Sequence, residues 1–164
     1  MTKIHQIQFR YDPHEDRALL RLTTTVRHEF RFWVTRRYAK LLWAGLTGST
    51  SRGAAVTPAL REAVLAIEQE AAIARADFKT HFDETTLSTP LGQTPVLLAR
   101  LKCARESDSI TLLAMHPLKG QGIEIRLDQT LLHSMLKLLA EAARTAEWDL
   151  DTTISEPEPV GPLN

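Results

Sequence analysis

At Thr35 the spacing of apolar side chains changes abruptly. Phe30, Phe32 and Val34 alternate with Arg31 and Trp33, the period of a strand with one face buried. Tyr38, Leu41, Leu42 and Leu46 then follow at helical spacing, and the Thr35 hydroxyl stands where it can satisfy a backbone N–H of the first helical turn. The same switch recurs at Asp128. Ile123, Ile125 and Leu127 alternate before it; after it Leu131, Leu132, Met135, Leu138, Leu139, Ala142, Ala143 and Ala146 make a broad helical stripe that closes near Trp148. Strands that lead twice into a helix define an α+β protein.

The remaining strands are read the same way. Ile7, Phe9 and Tyr11 share one side of a first strand, Asp12 to Asp16 supplies turn chemistry, and Arg17 to Leu22 returns before a polar connection from Thr23 to His28. In the second half Val96 to Cys103, Ser109 to Met115 and Ile123 to Leu127 are expected strands. Gly45, Gly48 and Gly53 read as a helix exit, and Thr57-Pro58 opens another helix with the stripe Leu60, Val64, Ile67, Ala71, Ala74 and Phe78.

A shift of 93 residues sets Leu20 and Leu22 on Leu113 and Met115, Phe32 on Ile125 and Thr35 on Asp128; the first strands do not share this register. The expected organisation is therefore a pseudo-duplicated βββα fold. It comprises a unit of two-period strands and helix over 1–54, an extra helix and connector over 55–95, a second such unit over 96–150, and a disordered Pro/Glu-rich tail over 151–164.

The net charge of zero hides a gradient. Residues 1–60 hold ten Lys or Arg against four acids, and residues 106–164 hold four against ten. Such bipolarity suits a basic binding surface, or two patches that attract each other within or between chains. No run is long and apolar enough for a membrane span, and the start lacks the apolar core of a leader, so a cytoplasmic protein is expected. A lone Cys103 excludes an intrachain disulfide and agrees with a reducing compartment.

No motif assigns an activity. The six histidines, at 5, 14, 28, 81, 116 and 133, never take the four-residue spacing that aims two imidazoles at one metal. Gly120-Gln121-Gly122 precedes a strand, so it reads as a hairpin turn and cannot offer helix N–H groups to a phosphate. Cys103 in a strand reads as a buried, inert thiol. A non-catalytic protein with no cofactor and no metal is the expectation.

The sharpest local signal is Arg31 to Trp43, RFWVTRRYAKLLW. If 30, 32 and 34 face the interior, Arg31 and Trp33 face outward beside Arg10 and Arg21, and Arg36, Arg37 and Lys40 lie on the polar side of the helix. These seven residues form the candidate binding surface. Cations with an aromatic fit single-stranded DNA or RNA, whose phosphates and bases they neutralise and stack. They equally fit a protein partner or self-association, with the basic first half meeting an acidic surface. Arg36 and Arg37 sit in the first helical turn, where the macrodipole disfavours cations, which argues for an anionic partner.

In element order the chain resembles the PUR and Whirly type of single-stranded nucleic-acid-binding folds, which carry four strands per unit against three here. The words Tyr11-Asp12-Pro13-His14-Glu15-Asp16-Arg17 and Phe32-Trp33-Val34-Thr35-Arg36-Arg37 resemble segments of small uncharacterised bacterial proteins. That second resemblance implies no activity.

Overall fold

A computed structural model describes residues 3–50 and 88–150. The helix expected after Thr57 and the tail after 150 lie outside the described residues. Within them the fold is α+β, with two sheets and two helices.

The first sheet begins as an antiparallel meander of β1 (Ile4–Asp12), β2 (Arg17–Thr24) and β3 (Glu29–Val34). Asp12 closes the first turn, its carboxylate accepting from the backbone N–H of His14 at 2.9 Å and of Glu15 at 3.2 Å, while Asp16 takes the left-handed conformation at φ 53°. The expected polar connection from Thr23 is shorter than the sequence suggests. Thr23 and Thr24 belong to β2 and are buried, because Thr23 pairs with Glu29 and Thr24 with Ile4. As expected, Phe30, Phe32 and Val34 point inward and are buried.

Helix α1 (Arg36–Thr50) starts where the period changes, with the Thr35 hydroxyl accepting from the Tyr38 N–H at 3.2 Å. It runs through Gly45 and Gly48, which were expected to end it. The reason is packing. A Cβ at Gly45 would stand 3.2 Å from the Cys103 Cβ, so glycine there lets the helix lie close on the neighbouring strand.

The expected strand from Val96 to Cys103 is two strands in two sheets. β4 (Val96–Leu97) runs parallel to β3 as a fourth strand of the first sheet, and β5 (Arg100–Arg105) starts the second. The chain changes sheets between two consecutive residues: the Leu98 N–H donates to the Trp33 carbonyl at 3.1 Å and the Ala99 N–H to the His116 carbonyl at 2.9 Å. A uniform apolar run cannot signal this change of partner. β5 then pairs with β6 (Thr111–His116), and β6 with β7 (Ile123–Leu127), all antiparallel. Helix α2 (Gln129–Thr145) follows, its first turn capped by the Asp128 carboxylate accepting from the Leu131 N–H at 2.8 Å.

Each helix reaches across to the other half: α1 packs on β5 and α2 on β1, and the two helices pack on each other. The Tyr38 hydroxyl of α1 donates to the Arg100 carbonyl at 3.0 Å, and burial holds that phenol above its ordinary pKa. At the other crossing the Tyr11 ring meets Trp148 edge-on, with centroids 5.7 Å apart. Leu20, Leu22 and Phe32 thus share one continuous core with Leu113, Ile125, Leu132 and Met135.

The β6–β7 connection is the turn expected from its glycines. Gly120 takes φ +107°, and a Cβ on Gly122 would fall 1.9 Å from the Met115 carbonyl oxygen. Gly122→Ala is therefore expected to cost about 3 kcal/mol, the upper end of overpacking. Gly48→Ala, which meets nothing within 4 Å on its helix, should be neutral or stabilising by up to about 1 kcal/mol. Urea unfolding of the two variants beside the parent chain checks the contrast.

Candidate interaction face on the first sheet

Opposed residues of a ladder share a face, so the register of β1, β2 and β3 draws the outer surface row by row. Thr23 and Glu29 share a row with Gln6; Gln8, Arg21 and Arg31 form the next; Arg10, Leu19 and Trp33 the one after, extended by Leu97 of β4. Arg17 lies diagonally ahead of Trp33, its guanidinium carbon 4.3 Å from the centroid of the indole. The expected outward aim of Arg31 and Trp33 agrees with this, and both are half-buried.

The seven expected residues fall into three electrostatic groups. Arg21 and Arg31 are committed to a carboxylate on the same face. Glu29, only 4% exposed, accepts from Arg21 Nε at 2.6 Å and from Arg31 Nη2 at 3.1 Å. Arg21 also reaches the Gln8 amide oxygen at 3.3 Å, and Arg31 the Gln93 carbonyl at 3.2 Å. Desolvation works to raise the Glu29 carboxyl, but the hydrogen bonds and charges of Arg31 and Arg21 outweigh it and hold it below the ordinary carboxylate range. Trp33, the second group, carries the Arg17 guanidinium on its ring, and Arg17 also meets Glu15 at 2.9 Å. The third group, Arg10, Arg36, Arg37 and Lys40, is exposed and forms no ion pair among the described residues. Arg36 and Arg37 stand in a first helical turn that contains no acid.

Four residues of this surface escaped the sequence reading. Glu29 had a signal: on a strand it shares the parity of Arg31, so a carboxylate two residues away was bound to lie beside that cation. Arg17 and Leu19 could be placed against Trp33 only with the β2–β3 register known. Leu97, 48% exposed beside the indole, depends on the parallel pairing of β4, which nothing in the local pattern announces. Among the described residues no three His, Cys, Asp or Glu side chains gather as metal ligands would, and no helix is long and apolar enough to cross a membrane.

Comparison of the chain with protein-family models, with curated proteins and with solved structures finds no match.

The Glu29 pairing sets a pH dependence. A carboxyl that titrates lower in the folded than in the unfolded chain contributes its full stabilisation above the unfolded value of about 4.3, and loses it as pH falls through the folded value. Glu29→Gln is expected to lower stability by about 2 kcal/mol at neutral pH. The gap between variant and parent should narrow as pH falls below about 4.3 and close only below the folded value, as read from denaturant titrations at pH 7 and at a series of acid pH values.

Proposed function

We propose that the protein is a non-catalytic interaction module that takes an acidic protein segment on the outer face of its first sheet. The observation that carries this reading is Leu97, a large aliphatic side chain about half exposed directly beside Trp33. Leu19 adjoins the pair, and Arg10 and Arg17 frame it. A tryptophan with an aliphatic neighbour and arginines is the composition that anchors protein interfaces, where Trp and Arg dominate the binding energy. The framing cations favour an acidic partner.

Single-stranded DNA or RNA is the second reading, favoured by Trp33 together with the exposed cations Arg10, Arg36, Arg37 and Lys40. It is the weaker because Arg21 and Arg31 are held by Glu29 and a base would have to displace Arg17 from the indole. A cytoplasmic setting suits the single thiol of Cys103.

We also read the two βββα units as a structural duplication. Support comes from the ladders. Ala18 opposite Val34 and Leu22 opposite Phe30 become, 93 residues on, Thr111 opposite Leu127 and Met115 opposite Ile123. The first strands break the rule by one residue, since Asp12 faces Arg17 whereas Arg105 faces Thr111.

A photo-crosslinking residue at Leu97 in the source cell tests the main reading. The expected product is a protein adduct that disappears when Trp33→Ala or Arg17→Glu is added and that a probe at Glu124 of the second sheet does not form. An adduct indifferent to those substitutions contradicts it. So does tight, salt-steep binding of single-stranded DNA or RNA in an anisotropy titration, with a log–log slope near about −3 as four phosphate contacts would give.

A further inference from the structure

We propose that two copies of the chain join edge to edge, β1 against β1 in antiparallel pairing, to make one continuous sheet from the two four-stranded sheets. Three observations carry it. The first is an open edge. Among the described residues β1 is paired along one side only, with β2. It is the longest strand at nine residues, and after the register shift between Ile4 and Gln6 its pairing from Gln6 to Asp12 is unbroken. The other edges are short or charged: β4 has two residues, β5 carries Arg100, Lys102 and Arg105, and β7 carries Glu124 and Arg126. Those are the devices that protect an edge from pairing, and the stretch Gln6-Ile7-Gln8-Phe9 of β1 has none.

The second observation is incomplete burial. Ile7, Phe9 and Tyr11 aim at the core yet stay only partly buried, although their partners Leu22, Leu20 and Ala18 on β2 are fully so. A strand added beyond β1 would cover them. The third is self-complementarity about a two-fold axis through Phe9. In that register Phe9 faces its own copy, Ile7 faces Tyr11 of the second copy, and all three half-buried side chains gain an apolar cross-strand neighbour. On the outer face Gln8 meets Arg10 of the second copy and Gln6 meets Asp12. The exposed Lys3 comes beside the acidic turn of Asp12, Glu15 and Asp16, so a basic end meets an acidic end twice, as an isologous interface requires.

A second copy is therefore the occupant, and the pairing doubles the Trp33 face on one surface. The edge and the face remain separable, because Trp33→Ala leaves the edge intact and should not change the association.

Sedimentation of the full chain from low micromolar to millimolar concentration tests the proposal, with two substitutions that move the constant in opposite directions. Gln8→Lys sets like charges against Arg10 twice per dimer and should weaken the dimer about tenfold. Gln8→Glu sets opposite charges there, keeps an acceptor for Arg21 and should tighten it about fivefold. Circular dichroism verifies that both variants fold, and Gln8→Glu alone decides the matter should Gln8→Lys not. A monomer at every concentration overturns the proposal, whether or not some other protein's strand can bind the edge. A dimer whose constant ignores the charge at position 8 overturns it equally.

Discussion

Two consecutive backbone N–H groups tie the two sheets of this molecule to one another. Leu98 donates to Trp33 in the first sheet and Ala99 to His116 in the second, so one extended segment belongs to both sheets. Without that crossing each half would be a three-stranded meander and one helix, too small to bury much apolar surface alone. With it, α1 lies over β5 and α2 over β1, and each half supplies the cover that the other lacks. The continuous core from Leu20 to Met135 follows from this exchange. So does the close approach at Gly45, where a Cβ would stand 3.2 Å from that of Cys103.

The same crossing builds the outer face. Leu97 stands next to Trp33 because β4 is bonded to β3, and Gln93 is near enough to receive Arg31 because its loop is drawn alongside the same strand. Electrostatics then sorts the cations. Glu29 is buried, and Arg21 and Arg31 offset the desolvation of its charge, which commits both to structure. The Arg17 guanidinium lies over an indole, where its weak hydration favours Arg over Lys. Beside them Trp33, Leu19 and Leu97 make an apolar patch with Arg10 and Arg17 at its border.

Much of this was legible in the chain, and the illegible part has a common cause. Period changes located both helix starts to the residue, with Thr35 and Asp128 as caps, because capping and periodicity are local. Alternation told the inward side of β3 from the outward one. Most of the failures involve a partner distant in sequence. Val96 to Cys103 has the composition of one strand and is divided only by which sheet each end finds. Gly45 and Gly48 look like a helix end, yet one of them lies in a close tertiary contact. Arg21 and Arg31 look available until Glu29 is placed beside them, and the half of that signal lying on β3 itself was readable from strand parity.

The central claim, that the Leu98–Ala99 crossing ties both halves into one cooperative structure, is tested most directly by native-state hydrogen exchange of those two amides. The account predicts that they open only with the whole molecule, at the same free energy as the inner amides of β2 and β6. Exchange of Leu98 and Ala99 through a cheaper local opening, or separate opening energies for the two sheets, would contradict it.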